Sequence, residues 1–146
     1  MDLQAAGVYR RTQAERNDQR VSWTRPDRAF FAAGACHILA WTCRAFFAGE
    51  PIGIGAVRFA DGEQAFHTFA TWHGWAFDHC GWHAANDLIR VNEEFEARPL
   101  VRVEVTIGLT EFCQDHHHRM PDQYHDDPRP RARNYVSRFR PPWMQA

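Results

Sequence analysis

The chain has no lysine: all 17 basic residues are arginine, an imbalance that reads as codon bias and assigns no function. No stretch of 18 residues stays apolar without a charge or a turn residue, which excludes a membrane-spanning helix. The opening Met1-Asp2-Leu3-Gln4 has no basic segment leading into an apolar one, so no secretory signal is expected. The expectation is therefore a cytoplasmic protein whose four cysteines are reduced thiols rather than a disulfide framework. Also missing are Gly-x-Ser-x-Gly, a Gly-Lys-Ser/Thr phosphate loop, and His-x-Glu followed by Pro-Cys-x-x-Cys, which removes the familiar serine hydrolases, P-loop enzymes and zinc deaminases. Gly53-Ile54-Gly55 is too brief for a dinucleotide fingerprint.

What is present suits one globular domain. The 146 residues are 45% apolar and 14% aromatic, enough to fill a core and exclude wholesale disorder. The net charge is −1, unevenly spread. Residues 1–28 hold six Arg against four acids, residues 29–118 five Arg against eleven, and residues 119–146 six Arg against three. The tail's six spread arginines are mixed with Asp122, Asp126 and Asp127, as on a solvated helix face, so nucleic-acid binding is not expected.

Residues 1–28 are polar and lack apolar periodicity, and read as an arm, mobile or laid across the body. Residues 29–146 read as a single α+β domain with a helical tail from about 119. A crowd of large apolar residues from Phe30 to Phe47 predicts a buried helix beginning near Gly34 or Ala35 and ending before Gly49-Glu50-Pro51. Strands are expected over 52–59 and 64–72, joined by a tight Asp61-Gly62 turn, then over 75–78 after a two-residue His73-Gly74 turn. Leu88, Val91 and Phe95 predict a helix over 84–96. Alternation over 100–107 predicts a strand with Val101, Val103, Val105 and Ile107 turned inward. Thr110 is expected to cap a short helix through Phe112, and a last helix runs from about 129 to 139 with Ala132, Tyr135, Val136 and Phe139 on one stripe.

Three residues stand out chemically. Cys36, at the predicted start of the first helix, would feel the positive end of the helix dipole and unpaired backbone N–H groups, both of which favour thiolate. His67 lies on the second strand and Asp78 on the third. If His73-Gly74 is a two-residue turn, Phe69 lies opposite Asp78 and His67 is its diagonal neighbour on the same face, whereas a one-residue slip would bring His79 there instead. A thiol, an imidazole and a carboxylate divide the work of acyl transfer into nucleophile, proton carrier and orienting group. Cys43, one heptad after Cys36, reads as a small buried hydrophobe.

Gly34-Ala35-Cys36 and the stretch HTFATWHGWAFDHCGW, from His67 to Trp82, resemble the nucleophile turn and the His and Asp strands of the transglutaminase-like branch of the papain-like cysteine enzymes. The likeness covers roughly residues 30–82 and extends to small bacterial proteins of this superfamily. It implies a nucleophile-bearing helix packed on a small antiparallel sheet, with acyl chemistry on an amide or thioester: hydrolysis, deamidation or transfer. Cys36, His67 and Asp78 would be the catalytic residues, with a peptide, protein or small acyl compound as substrate and no cofactor. The usual upstream Gln of the oxyanion hole has no evident counterpart, although Gln13 and Gln19 lie in the arm.

Two other readings compete. One is a non-catalytic interaction module on the same core, marked by an occluded Cys36. The other is a zinc-stabilised domain, because Cys80-x-x-His83 and Cys113-x-x-His116 repeat a two-residue ligand gap. The run His116-His117-His118 reads as a solvated loop, and Met120-Pro121-Asp122-Gln123-Tyr124 carries no mechanism from sequence alone.

Overall fold

The computed structural model describes residues 2–145. After a 3-10 turn (Ala6–Tyr9) come α1 (Gln13–Asn17), α2 (Gln19–Trp23), α3 (Asp27–Ala32) and α4 (Cys36–Phe46). Then follow β1 (Gly53–Phe59), β2 (Ala65–Trp72), β3 (Trp75–Asp78), β4 (Gly81–Ala84), α5 (Ala85–Glu96) and β5 (Leu100–Val105). The chain closes with α6 (Leu109–His116) and α7 (Pro128–Ser137). The architecture is α+β, with one antiparallel sheet in the order β4-β3-β2-β1-β5. Among the described residues no helix is long and apolar enough to cross a membrane.

The sheet is covered on both faces. Ala70 and Phe77, paired across β2 and β3, pack with Phe31, Ile38 and Leu39 of α3 and α4 and with Tyr135 and Val136 of α7. Their neighbours Phe69 and Ala76, turned the other way by the period of two, pack with Ala85 and Leu88 of α5. Ala132, Tyr135 and Val136 form the expected buried stripe of the tail helix, but Phe139, its expected fourth member, lies beyond the end of α7 and is half-buried. Tyr135 also anchors it, donating its hydroxyl to the His79 carbonyl beyond the end of β3.

Several details differ from the sequence reading. The apolar crowd at 29–47 divides into two helices, α3 and α4, because Gly34 takes φ +107° and turns the chain between them. Asp61-Gly62 is part of a longer loop over 60–64, and the β1–β2 register shifts at Val57/Arg58, so this hairpin is bulged rather than tightly closed. The segment after Asp78 adds β4 to the sheet edge. Val103 is exposed and Val101 and Val105 only half-buried, because β5 is the other edge strand and the packed part of the sheet lies further in. Thr110 is no cap: α6 starts one residue earlier behind Gly108 and continues to His116.

The arm is laid across the body. A capping box joins Thr12 and Glu15 at the start of α1. Ala5 and Ala6 are buried, and the Ala6 N–H donates to Asn92 Oδ1 at 3.0 Å, inside the face of α5. Arg131 of α7 clamps the arm's far end, donating from Nε to Asp27 Oδ1 at 2.7 Å, from Nη1 to the Trp23 carbonyl at 2.9 Å, and from Nη2 to the Arg25 carbonyl at 2.7 Å. Its guanidinium lies 4.1 Å from the centre of the Phe30 ring. Arg131→Met keeps the apolar stem and removes all three bonds. It should lower unfolding stability by about 2–3 kcal/mol, read as an earlier urea midpoint at an unchanged slope.

Candidate active site

The turn before α4 is built for close approach. Gly34 adopts a positive φ, and a Cβ there would lie 3.2 Å from Arg11 Nη1. The Gly34 carbonyl accepts the Tyr124 hydroxyl at 2.5 Å, so the segment Met120–Tyr124, silent in sequence, braces this turn. Ala35 is the N-cap and offers no side-chain acceptor to the first-turn N–H groups of α4. Cys36 therefore sits at the positive end of the dipole of an eleven-residue helix, anchored by the buried side chains of Ile38 and Leu39.

His67 and Asp78 come together as the hairpin argument predicts. His73 and Gly74 both take positive φ, 42° and 82°, the backbone of a two-residue turn that matches strand twist. Trp72 then pairs with Trp75 and Ala70 with Phe77, and the next step along the ladder puts His67 diagonal to Asp78. The His67 Nε2–H donates to Asp78 Oδ2 at 2.9 Å, with both side chains buried. Asp78 Oδ1 accepts the Cys80 N–H at 2.8 Å, and His79 Nδ1 lies 3.4 Å from Oδ2. Nδ1 of His67 is buried without a hydrogen-bond partner.

These contacts set the charges. Burial disfavours the Asp78 carboxylate, but His79 and His67 outweigh it and hold the group ionised far below the usual carboxylate range. Burial likewise opposes imidazolium at His67, yet Asp78 and Cys36 raise its pKa to about 9. For Cys36, burial pushes the thiol up while the His37 and His67 imidazoles pull it down, leaving it well below the ordinary thiol value. His37 is raised to about 9: Cys113 and Cys36 outweigh its burial, and the Arg119 carbonyl accepts from its Nε2 at 2.7 Å. Cys43, buried with no such neighbours, is pushed up by burial alone and is an inert thiol.

The four alternative zinc ligands are not brought together. Cys80 lies under the arm against the Gln4 carbonyl and the Arg28 guanidinium. His83 turns back to the Cys80 carbonyl, Cys113 donates to the Arg119 carbonyl, and His116 Nδ1 accepts the Ala65 N–H. The group that does converge among the described residues is His67, Asp78 and His79, whose ligand atoms lie within 4.8 Å of one another. A cation there would displace the proton shared by His67 and Asp78. The histidine run is only partly solvated: His118 stacks on His37 at 4.9 Å, and burial lowers it to about 4, so it is neutral.

Cys36 and His37 open on a cavity of about 570 Å³ roofed by the arm. Phe66, Gln123 and His118 contribute to its wall, together with four arginines. No periodic pattern in the sequence marks these residues. Comparison with known proteins found no matching family model, no matching curated relative and no matching solved structure.

Two predictions follow from the bracing and the charges. Tyr124→Phe should cost about 1–2 kcal/mol by leaving the Gly34 carbonyl without its donor, and should slow alkylation of Cys36 as the turn loosens. For pH, His79 holds its proton up to about 10 because Asp78 outweighs burial, whereas in the unfolded chain it loses it near 6.5. Its contribution is therefore complete below about pH 6.5 and is lost as pH rises toward about 10. The Cys36–His67 pair adds no slope over 6.5–9, since folding there moves a proton from thiol to imidazole without net uptake. His37, raised to about 9, takes up a proton on folding over the same window. Urea unfolding should therefore show stability falling at up to two protons' slope, about 1.4 kcal/mol per pH unit for each, and His79→Phe should remove about half of it.

Proposed function

We propose that this protein is a cysteine-dependent acyl-group enzyme of the papain-like, transglutaminase-like type, with Cys36 as nucleophile, His67 as proton carrier and Asp78 as the group that orients it. The observation that carries the reading is the buried 2.9 Å His67–Asp78 hydrogen bond beside a helix-start thiol with a depressed pKa, on the wall of a cavity. With Nε2–H committed to Asp78, Nδ1 is the ring atom left for the thiol proton.

In acylation the Cys36 sulfur attacks the acyl carbon and the carbonyl becomes an oxyanion facing the free N–H groups at the start of α4. The tetrahedral species collapses as the bond to the leaving group breaks, and the leaving group takes the proton from His67 Nδ1. A thioester on Cys36 remains. Water, an amine or a thiol then gives its proton back to His67 as it attacks the thioester, and the thiolate leaves. Asp78 stays ionised throughout and compensates the imidazolium. The alternative of a non-catalytic interaction module calls for an occluded thiol; Cys36 is buried at 5% exposure and yet lines the cavity, so its alkylation decides between the two readings.

The test is the alkylation rate of each cysteine by iodoacetamide between pH 5 and 10, followed by mass spectrometry. Cys36 should react at least tenfold faster than the other three at pH 6, on a plateau that persists until His67 deprotonates near 9. His67→Ala should move the Cys36 profile toward that of a free thiol, near 8.5, and Asp78→Asn should do so in part. Slow, uniform reaction of all four thiols in the folded protein would defeat the assignment. Cys36→Ser should leave the fold intact.

A further inference from the structure

The cavity in front of Cys36 has a one-signed wall. Arg10, Arg11 and Arg16 reach it from the arm and Arg119 from the start of the tail, and no Asp or Glu lines it. The chain has 18 acidic residues, so the exclusion is not for want of them. Arg10 is neutralised by Glu96. Arg11 and Arg16 have no carboxylate partner among the described residues, and Arg11 Nη1 is buried with no hydrogen-bond partner at all. Arg119 is held by neutral acceptors, the Arg16 carbonyl at 3.2 Å and the Gln19 side-chain amide, which fix the guanidinium without cancelling its charge. Burial and the like charges of Arg119, Arg16 and Arg25 act against the Arg11 cation.

Gathering unpaired guanidinium groups beside one another costs free energy that a bound anion returns, and their planar donors match the two oxygens of a carboxylate or phosphate. The Arg11 guanidinium lies over Gly34, two residues before the nucleophile, at a place any side chain on Gly34 would contest. We propose that the cavity binds an oxyanion, a carboxylate or phosphate group on the substrate, between Arg11, Arg16 and Arg119, so that the group attacked by Cys36 belongs to an anionic acyl compound. The substrate class rests on the acyl-enzyme reading; the anion site itself does not. Phe66 supplies the apolar part of the wall, so a short apolar segment next to the anionic group also fits.

Two readouts separate the claims. In the first, thermal unfolding is followed in succinate or inorganic phosphate against chloride at equal ionic strength, in wild type and in Cys36→Ser. Either anion at ten times its Kd should raise Tm by about 3–5 °C in both proteins. Arg11→Gln and Arg119→Gln should each lose most of the shift, whereas Arg129→Gln, on the exposed face of α7, should keep it. The better of the two anions says whether carboxylate or phosphate is the natural fit. In the second, the rate of Cys36 with iodoacetate is divided by its rate with iodoacetamide and compared with the same ratio for glutathione. The protein's ratio should be at least tenfold higher, should fall toward that of glutathione in 0.5 M NaCl, and should drop in Arg11→Gln. No Tm shift together with a glutathione-like ratio would overturn the anion site. A Tm shift with an unreactive Cys36 would keep the site and remove the acyl chemistry.

Discussion

The constraint on which most of this structure depends is the burial of one carboxylate. Asp78 is 1% exposed, and an ionised carboxylate survives there only if its oxygens find donors and its charge finds partners. The Cys80 N–H takes one oxygen, and His67 and His79 converge on the other. Each of these contacts fixes a piece of the fold. The bond to Cys80 shapes the turn that leads to Gly81, where φ is +84° and a Cβ would come within 2.5 Å of Phe139. The bond to His67 locks the β2–β3 register, and the neighbouring His79 carbonyl receives Tyr135 from the tail helix. Removing the carboxylate would orphan donors from β2, from the turn and from the segment that α7 closes over.

The same carboxylate explains why a histidine deep in the sheet can keep a proton. Desolvation alone would leave His67 neutral, and a neutral imidazole would do little for the thiol. With Asp78 beside it, the buried imidazolium and the thiolate stabilise each other. His37, the residue after Cys36, adds a second imidazole, and its Nε2 is fixed by the Arg119 carbonyl. Charge at Cys36 is therefore controlled from three directions: the helix start, the sheet and the tail.

Much of the sheet was legible in the sequence because turn chemistry and hydrophobic period agree there. His73-Gly74 can hold two positive φ angles, and once that turn is granted the diagonal relation of His67 and Asp78 follows by counting. Cys36 was legible because Gly34 and the apolar run behind it mark a helix start. The arm itself was legible, but how it packs was not. It packs through small residues such as Ala5 and Ala6, and through arginine donors to carbonyl oxygens, neither of which leaves a periodic trace. The zinc spacing misled for a related reason: a two-residue gap is a local feature, while convergence depends on strand pairing. The strand at 100–105 alternates cleanly, yet alternation says only that faces differ, and an edge strand has little to pack against.

Charge segregation along the sequence acquires a meaning once the ends are in place. The arm and the tail each carry an excess of arginine and the middle an excess of acid. In sequence this looked like a solvated tail beside an acidic body. In the fold, Arg11 and Arg16 from one end meet Arg119 from the other across the mouth of the cavity, while Arg131 ties the arm down to α7. Of the arm's arginines that line the cavity, Arg10 is paired with Glu96, while Arg11 and Arg16 have no carboxylate partner among the described residues. A cationic cavity also assists the thiol directly, since positive charge nearby favours thiolate over thiol whether or not an anion is bound. The arginines that would recognise an anion come from segments 1–28 and the start of the tail, outside the stretch that resembles a cysteine enzyme, whereas the groups that lower the Cys36 thiol, His37 and His67, lie within it.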